Sequence, residues 1–548
     1  MAPIGGHRAE EEQAMAGAGS YDAIVIGGGH NGLVAAAYLG KAGLRTLVLE
    51  RRGIVGGSCV TEEVWPGFHV STTSYVLSMF HGRLMEELEL HRFGFELIPT
   101  DNLFVPFEDG RYMILWDDEA KTCAEIAKFS KRDAERYPEY NRFLAQAAGF
   151  VRELAWKTPP ASLSPGAARD MLELGWKFRK MGGAAFRFID LMTESVVDFL
   201  DRWFESDQLK ATLAYYGVIG NFKGPMTPGS AYVLLHHLMG EHEGAGGWGF
   251  IRGGMGGLTQ ALARCAQAAG ATILTDAEVE RVTIRDGRAV GVALANGDTY
   301  TARAILSNAD PKTTYLRLIG RENLDGDVVA EIESYKTFST AFKINFALDH
   351  LPTYSTFDRE KIGLPFPTYI HIGPTVEYLE RAYDDAKYGR PSTRPFLSPV
   401  VPTLTDPSLA PEGKHILNVF GGHAPYELAG TTWDEERETF ADTVVETLAE
   451  FAPDLRDCII DRQILMPPDL ERIYALPQGH IFHGELTLDQ LFFLRPVPGY
   501  GDYRTPIRGM YLCGSGTHPG GGVYGLPGHN AAREAIRDLK GRGLRRRG

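Results

Sequence analysis

Cysteine is scarce in this sequence and never paired in spacing. Its 548 residues hold only Cys59, Cys123, Cys265, Cys458 and Cys513, an odd number, far apart and without a C-x-x-C pair. That excludes a disulfide framework and a structural zinc site, and fits a reducing, cytoplasmic setting. Positive charge is also short: 56 Lys and Arg stand against 70 Asp and Glu, a formal net charge of −14. Such a chain has no field to attract a polyanion, so nucleic acid is not an expected partner. No run approaches the ~18 apolar residues of a membrane span. No Ser-His-Asp order or metal-ligand spacing is present, so no metal is expected. The first 20 residues contain Glu10-Glu11-Glu12 and no apolar segment of the signal-peptide kind. Residues 1–20 are therefore read as a disordered leader, and 541–548, with the Arg542 to Arg547 cluster, as a flexible basic tail.

What the chain does have is apolar material, 44% of its residues, together with 63 Gly and 31 Pro in no fixed period. This composition predicts a large core and many tight turns, hence many loops near ligands. The run Asp22-Ala-Ile-Val-Ile-Gly27, the Ala- and Leu-rich Leu33 to Ala42 and Arg45-Thr-Leu-Val-Leu-Glu50 read as strand, helix and strand. A βαβ unit of this kind demands a parallel sheet, with the turn from Gly27 to Gly32 at its carboxyl edge, where ligands bind. Residues 118 to 246 read as mostly helical, a lid broken at Pro159-Pro160, Pro165 and Gly182-Gly183. Strands resume from Ala271 to Leu306 with hairpin turns at Asp286-Gly287 and Asn296-Gly297. A mixed stretch from Thr337 to Leu494 follows, and a strand-turn-helix over Gly509 to Leu539 closes the chain.

Three motifs carry chemistry. Gly27-x-Gly29-x-x-Gly32 lies at a strand-to-helix turn, and Glu50 stands 18 residues beyond Gly32 at the tip of the next strand. Glycines at these positions allow the tight turn and close backbone approach to a pyrophosphate, whose charge the helix N-terminus stabilises; Glu50 would accept the ribose hydroxyls. The second motif is Arg51-Arg52-Gly53-Ile54-Val55-Gly56-Gly57-Ser58. The third is Gly514-Ser515-Gly516-Thr517-His518-Pro519-Gly520-Gly521-Gly522-Val523, with Gly528-His529-Asn530 opening the last helix. A helix N-terminus there would stabilise negative charge on a bound ligand.

Taken with Gly253-Gly-Met-Gly-Gly-Leu-Thr-Gln-Ala-Leu262, Ser307-Asn-Ala-Asp310-Pro311 and His480-Ile-Phe-His-Gly484, these motifs occur in an order that resembles the phytoene dehydrogenase-related FAD oxidoreductases of the carotenoid desaturase superfamily. Within them the chain is similar to the pyridine nucleotide-disulfide oxidoreductase domain-containing protein 2 group, over nearly its whole length. The resemblance implies an α/β fold: a glutathione-reductase-type Rossmann FAD domain, discontinuous in sequence (21–78, 250–312 and 496–540). A second, mixed-sheet substrate domain with the helical lid would occupy 79–249 and 313–495. It implies non-covalent FAD held by Gly27, Gly29, Gly32, Glu50, Arg52, Gly56, Gly57, Ser58, Val279, Gly514, Ser515, Gly521, Gly522, Val523 and Asn530. Val279 would sit where the family reads adenine through backbone groups. Two departures stand out: Gly514-Ser515 replaces an acid common in amine-oxidase-like relatives, and Cys59 has no partner for a dithiol relay. Gly254-x-Gly256 lacks a third glycine and a clear preceding strand, so no NAD(P) site is expected. Electrons would leave to oxygen or a quinone.

The activity implied is desaturation, saturation or isomerisation at a C–C bond of an apolar, isoprenoid or aromatic substrate. An amine or alcohol oxidase of the same superfamily, or a flavin-bearing interaction protein without turnover, are the competing readings. Tyr75, His480 and His483 are the candidates to handle a proton, drawn from a wider set with Ser74, His236, His237 and His518. Arg169, Trp176, Lys177, Arg179, Lys180, Arg187 and Phe188 form a cationic, aromatic lid segment, read either as a solvated face or as peripheral membrane contact. Oligomeric state leaves no trace in the sequence.

Overall fold

The fold is described from a computed structural model, which covers residues 19–100, 102–160, 165–240 and 248–541. Nearly all of the expected leader and basic tail therefore lies outside the described residues, although Ser20 already belongs to the first strand. The chain opens with β1 (Ser20–Ile26), α1 (His30–Lys41) and β2 (Thr46–Leu49). The lid follows, built around α2 (Lys131–Ala155), α3 (Pro165–Lys180), α4 (Ala184–Thr193) and α5 (Ser230–His237). After α6 (Gly256–Ala268) come β3 (Thr272–Leu274), β4 (Val279–Arg285), β5 (Arg288–Leu294) and β6 (Thr299–Ser307). The second sheet is made by β7 (Phe342–Leu348), β8 (Leu397–Val400), β9 (His415–Gly421) and β10 (Ile459–Leu465), with α7 (Trp433–Ala449) between the last two in sequence. β11 (Met510–Leu512) and α8 (Leu526–Leu539) end the chain.

In the first sheet β3, β2, β1, β6 and β11 are all parallel neighbours, in that order, and β4 and β5 join the free edge of β6 as an antiparallel meander. Ile24 sits opposite both Leu47 and Ile305, and all four residues of β2 are buried, as a parallel strand covered on both faces requires. Strands from both ends of the sequence thus close one sheet, which makes the nucleotide-binding unit discontinuous. α1 presses against this sheet and against α6 and α8 with small side chains, Ala35, Ala36 and Ala37 being fully buried. The packing is too close for any larger residue: a Cβ on Gly40 would lie 2.6 Å from the Ala269 carbonyl oxygen, and one on Gly528 would lie 2.0 Å from that of Asn31.

The second sheet is antiparallel in the order β8, β9, β7, β10. Every residue of its central strand β7 is buried. Phe342, Ile344 and Phe346 pack in the core that contains Phe440 and Val444 of α7. Lys343 and Asn345, at the alternate positions, face the other way, toward the first domain. In the lid, α3 and α4 dock onto α2 through mutually contacting rings of Phe150, Phe178 and Phe188. Phe188 is therefore turned inward, a correction to its place on the expected exposed face. Pro165 opens α3 rather than breaking a helix, consistent with proline at a helix start.

One buried cation ties the two halves together. Arg495 is fully buried and donates to the carbonyl oxygens of Phe482, Gly484, Glu485, Gln490 and Ser515, so the HIFHG loop and the terminal glycine loop share one anchor. Its guanidinium also lies 5.7 Å from the Tyr335 ring centre. Arg495→Met removes this donor from the carbonyls of Phe482, Gly484, Gln490 and Ser515 in the interior, leaving Glu485 only the Gln490 amide, and should cost at least about 3 kcal/mol, measured as a shift in denaturant midpoint. Unchanged stability of that variant would mean that the loops hold one another without the anchor.

Candidate cofactor and substrate site

The carboxyl edge of the parallel sheet opens into a cavity. Gly27, Gly29, Glu50, Arg52, Gly56, Gly57, Ser58 and Val279 line it from the first half of the chain, and Ser515, Gly522 and Val523 from the end. Gly27 turns the chain at φ 93°, and a Cβ on Gly32 would lie 2.1 Å from the Gly27 carbonyl oxygen, so the fingerprint glycines are sterically required. Gly56 and Gly57, at φ 133° and 60°, bring the second motif against the first, Gly29 bridging Gly56 in parallel. Glu50 is buried and accepts from the backbone N–H of Gly28 at 2.8 Å and of Arg52 at 2.9 Å, which fixes its carboxylate at the tip of β2.

The cavity fits a dinucleotide on three observations. The N-terminus of α1 carries no side-chain cap at Gly29, so its N–H groups are open to an anion. His30 Nε2, Asn31 Oδ1 and His483 Nδ1 are buried without hydrogen-bond partners, and all three residues line the space. No side chain from the glycine-rich walls fills it. Glu50 would hold the adenosine ribose, the α1 N-terminus the pyrophosphate, and the Gly56 to Ser58 and Ser515 to Val523 loops the ribityl and ring end.

Not every expected residue lines this space. Gly32 serves packing alone. Gly514 lies outside, where a Cβ would meet the Asn308 carbonyl oxygen at 2.7 Å, and the Gly521 carbonyl accepts from His236 Nε2 at 2.9 Å. Asn530 pins the last helix by donating to the Ala155 carbonyl and the Tyr503 hydroxyl. Conversely, Asn308 of the Ser307 to Pro311 segment shows no role in the sequence, yet it lines the cavity and donates to the Gly27 carbonyl oxygen at 3.4 Å.

A second cavity adjoins the first, sharing with it Ser58, Ser74, Leu476, Ile481, Phe482, Gly522 and Val523. Its own walls include Tyr75, Met79, Ile219, Trp248, Phe342 and Phe420, and neither carboxylate nor guanidinium occurs among its lining residues. Tyr75 stacks on Phe420 with ring centres 5.8 Å apart and donates its hydroxyl to Ser398 Oγ at 3.2 Å. Lys343 is the residue that sequence reasoning missed. Buried to 2% exposure, its Nζ has no hydrogen-bond partner and stands 3.9 Å from the Tyr75 ring centre. Burial disfavours its charged form and pushes its ammonium well below the usual lysine range. Burial also lowers His237 to about 4 and raises the Tyr75 phenol, so both of these are neutral.

His483 lines the first cavity, and burial, with Arg495 nearby, holds it neutral at about 4. His480 lines neither; it is fully buried and its Nδ1 accepts from the Phe482 N–H at 3.1 Å. His518 likewise supports structure through the Leu154 carbonyl at 3.0 Å. At Gly254-x-Gly256 the structure corrects one expectation, because a short strand, Gly249–Ile251, does precede the turn. It pairs antiparallel with Leu97–Pro99 and belongs to no parallel sheet. The N–H groups of the turn are already taken: Gly253 donates to Asp406, Met255 to Ser71 Oγ and Gly256 to Thr61 Oγ1. A phosphate would find no donors there.

A discontinuous Rossmann domain carrying a dinucleotide cradle, with a second sheet closing an apolar cavity beside it, defines an FAD-dependent oxidoreductase. The profile of the flavin containing amine oxidoreductases matches residues 32–536, and the chain belongs to that family. It is 42% identical to the pyridine nucleotide-disulfide oxidoreductase domain-containing protein 2 of Rattus norvegicus, over 95% of this chain and 94% of the relative. It is 28% identical to the phytoene desaturase (lycopene-forming) of Pseudescherichia vulneris over 92% of this chain and 96% of that one. A limonene dehydrogenase chain of Castellaniella defragrans is 26% identical, over 94% of this chain and 95% of that one. The fold is shared with the crystal structure of an oxidoreductase from Methanosarcina mazei, at a TM-score of 0.60 and 18% identity, covering 94% of this chain and all of that one.

The cradle makes a direct prediction. A Cβ on Gly29 would already stand 2.7 Å from the Asn308 amide nitrogen, so Gly29→Val should purify without flavin while keeping wild-type circular dichroism. In the wild type, acid precipitation should release intact FAD into the supernatant. Flavin left in the pellet would mean a covalent bond.

Proposed function

We propose that this oxidoreductase removes, adds or shifts hydrogen at a C–C bond of an apolar substrate, isoprenoid or aromatic, held in the second cavity. The observation that carries the reading is the composition of that cavity: mainly aromatic and aliphatic walls, no carboxylate or guanidinium among its lining residues, and a boundary shared with the FAD cradle. Such walls bind by burial at roughly 25 cal/mol per Å² and by shape, since an apolar molecule offers few hydrogen bonds. A cationic amine would meet no carboxylate to replace its lost hydration. The phytoene desaturase and limonene dehydrogenase relatives are named for apolar substrates, which supports the same class.

FAD supplies the redox chemistry, accepting or returning a hydrogen with its electron pair. The chain's part is to position the substrate, exclude water and handle the remaining proton. When one carbon loses hydrogen with its electrons, the neighbouring carbon must lose H⁺ for the double bond to form. Lys343 Nζ, whose proton affinity burial lowers and which has no hydrogen-bond partner, would in its neutral form take that proton, and the Tyr75 ring orients it. Tyr75 lines this cavity, whereas His480 lines neither cavity and would not touch a substrate held there. With the Gly254 turn closed to phosphate, oxygen or a quinone is the electron acceptor.

Anaerobic bleaching of the flavin by a panel of apolar compounds, with product mass recorded, tests the class. Reduction by amines alone, with peroxide released in air, would transfer the enzyme to amine oxidation. Lys343→Met should slow bleaching by about 10²- to 10⁴-fold. The same variant should be more stable at pH 7. Burial lowers the proton affinity of this lysine in the folded state relative to the unfolded one, so folding of the wild type carries a free-energy cost at pH 7. That cost vanishes as pH rises past the unfolded value of about 10.4. The gain in melting temperature should therefore shrink toward alkaline pH. A destabilised Lys343→Met would show that the amine is a structural partner.

A further inference from the structure

Among the described residues, large apolar side chains are almost all buried, and ten are not. Four of these ten fall on α3 and α4: Leu172 at 76% exposure, Trp176 at 56%, Phe186 at 75% and Ile189 at 48%. The two helices are two-faced. Phe178 and Phe188 point inward to Phe150, while Leu172 and Trp176, four residues apart, share the outward side of α3. Phe186 and Ile189, three apart, do the same on α4. Their exposure is not explained by packing within the chain.

Charge on these helices separates in the same way. Lys177 is held by Glu153 and Glu173, Arg187 by Glu139, and the carboxylate of Asp190 lies 3.4 Å from Arg202. These charges are satisfied within the protein. Arg179 and Lys180 are exposed and have no ion pair among the described residues, and Lys180 Nζ rests 3.5 Å from the centre of the Trp176 ring. At 100° per residue, positions 172, 176, 179 and 180 fall within one flank of the helix. Two unpaired cations beside four exposed apolar side chains, on a protein of net charge −14, mark a local reversal of the protein's field.

We infer that α3 and α4 form a lipid-docking face, which lays Leu172, Trp176, Phe186 and Ile189 into the interfacial layer of an anionic bilayer while Arg179 and Lys180 meet its headgroups. Aromatic, aliphatic and basic side chains in this combination match such an interface, where an indole and a long cationic side chain each keep one end wet and one end dry. A second copy of this chain is a poorer occupant, because a two-fold contact through the same patch sets Arg179 and Lys180 against their own copies. Behind the face, α4 packs on α5, and His237 of α5 lines the second cavity. One helix thus separates the docking surface from the space proposed for an apolar substrate; only this last link rests on the proposed chemistry.

The test uses the flavin-loaded enzyme and sedimentation with phosphatidylcholine vesicles, with and without phosphatidylglycerol. The wild type should pellet with the anionic vesicles, less with the neutral ones, and less again in high salt. Leu172→Ser with Phe186→Ser should abolish pelleting. Arg179→Gln with Lys180→Gln should weaken it about fivefold for each charge lost. Both double variants should retain wild-type flavin content and wild-type bleaching by detergent-dispersed substrate, which separates failure of the docking face from failure of the catalytic reading. Brominated lipid should quench the fluorescence of the wild type more than that of Trp176→Phe. A wild type that stays in the supernatant with anionic vesicles overturns the inference. So does a self-associated wild type that the Leu172→Ser, Phe186→Ser variant turns into a monomer without any change in vesicle binding.

Discussion

Everything in this protein is arranged around a place where distant stretches of backbone come too close together to carry side chains. Gly29 meets Gly56, Gly32 closes on Gly27, and Gly514 closes on Asn308. Each approach removes a side chain from the carboxyl edge of one parallel sheet and leaves room, and peptide N–H groups, for a dinucleotide. The segments come from residues near 30, near 56, near 308 and beyond 510, so the cradle exists only once the whole chain has folded. This explains why the substrate domain and lid are inserted into the nucleotide domain rather than appended to it. An inserted domain is held by both of its ends to the rim of the cofactor site, and the buried Arg495 adds a third attachment there through Phe482 and Ser515.

Much of the cradle was legible in the sequence because steric necessity writes itself as glycine. The fingerprint, the Gly56-Gly57 pair and Glu50 need only local geometry to be recognised, and strand, helix and strand follow from their spacing. Helix starts were less legible. α1 begins at His30 rather than Leu33 and α8 at Leu526 rather than His529, since the first turn of each is chosen by the cofactor site and not by apolar periodicity. The strand Gly249–Ile251 has only three residues and escapes any pattern of period two.

The substrate side was hardly legible, for a different reason. Lys343 is the single charged residue in Ala-Phe-Lys-Ile-Asn-Phe-Ala-Leu, and its alternation with Asn345 is visible, but an alternating strand ordinarily turns such residues to water. Only the assembly of the second sheet against the first domain makes that face an interior. His480 and His483 misled in the opposite direction. Their spacing in a motif suggested a shared role, whereas the loop that carries them sends His483 to the FAD cavity and His480 into the packing beneath it. Arg495, which holds that loop, carries no sequence signal at all.

The two cavities embody opposite solutions to the same dielectric problem. In the cofactor cavity the ligand would be charged, and the lining offers backbone dipoles, the carboxylates of Glu50 and Glu278 and the guanidiniums of Arg51, Arg52 and Arg317. The lining of the adjoining cavity holds neither carboxylate nor guanidinium, and burial disfavours the charged form of each ionisable group there: the amine and imidazole pushed down, the phenol pushed up. An amine in such surroundings resists gaining a proton, because its ammonium form could not be hydrated there. If Lys343 takes the proton as proposed above, the Tyr75 ring, 3.9 Å away, is the group placed to offset the positive charge that develops on it. The lack of carboxylates and guanidiniums among the lining residues would then do more than tolerate apolar molecules: it would leave that charge with few other partners.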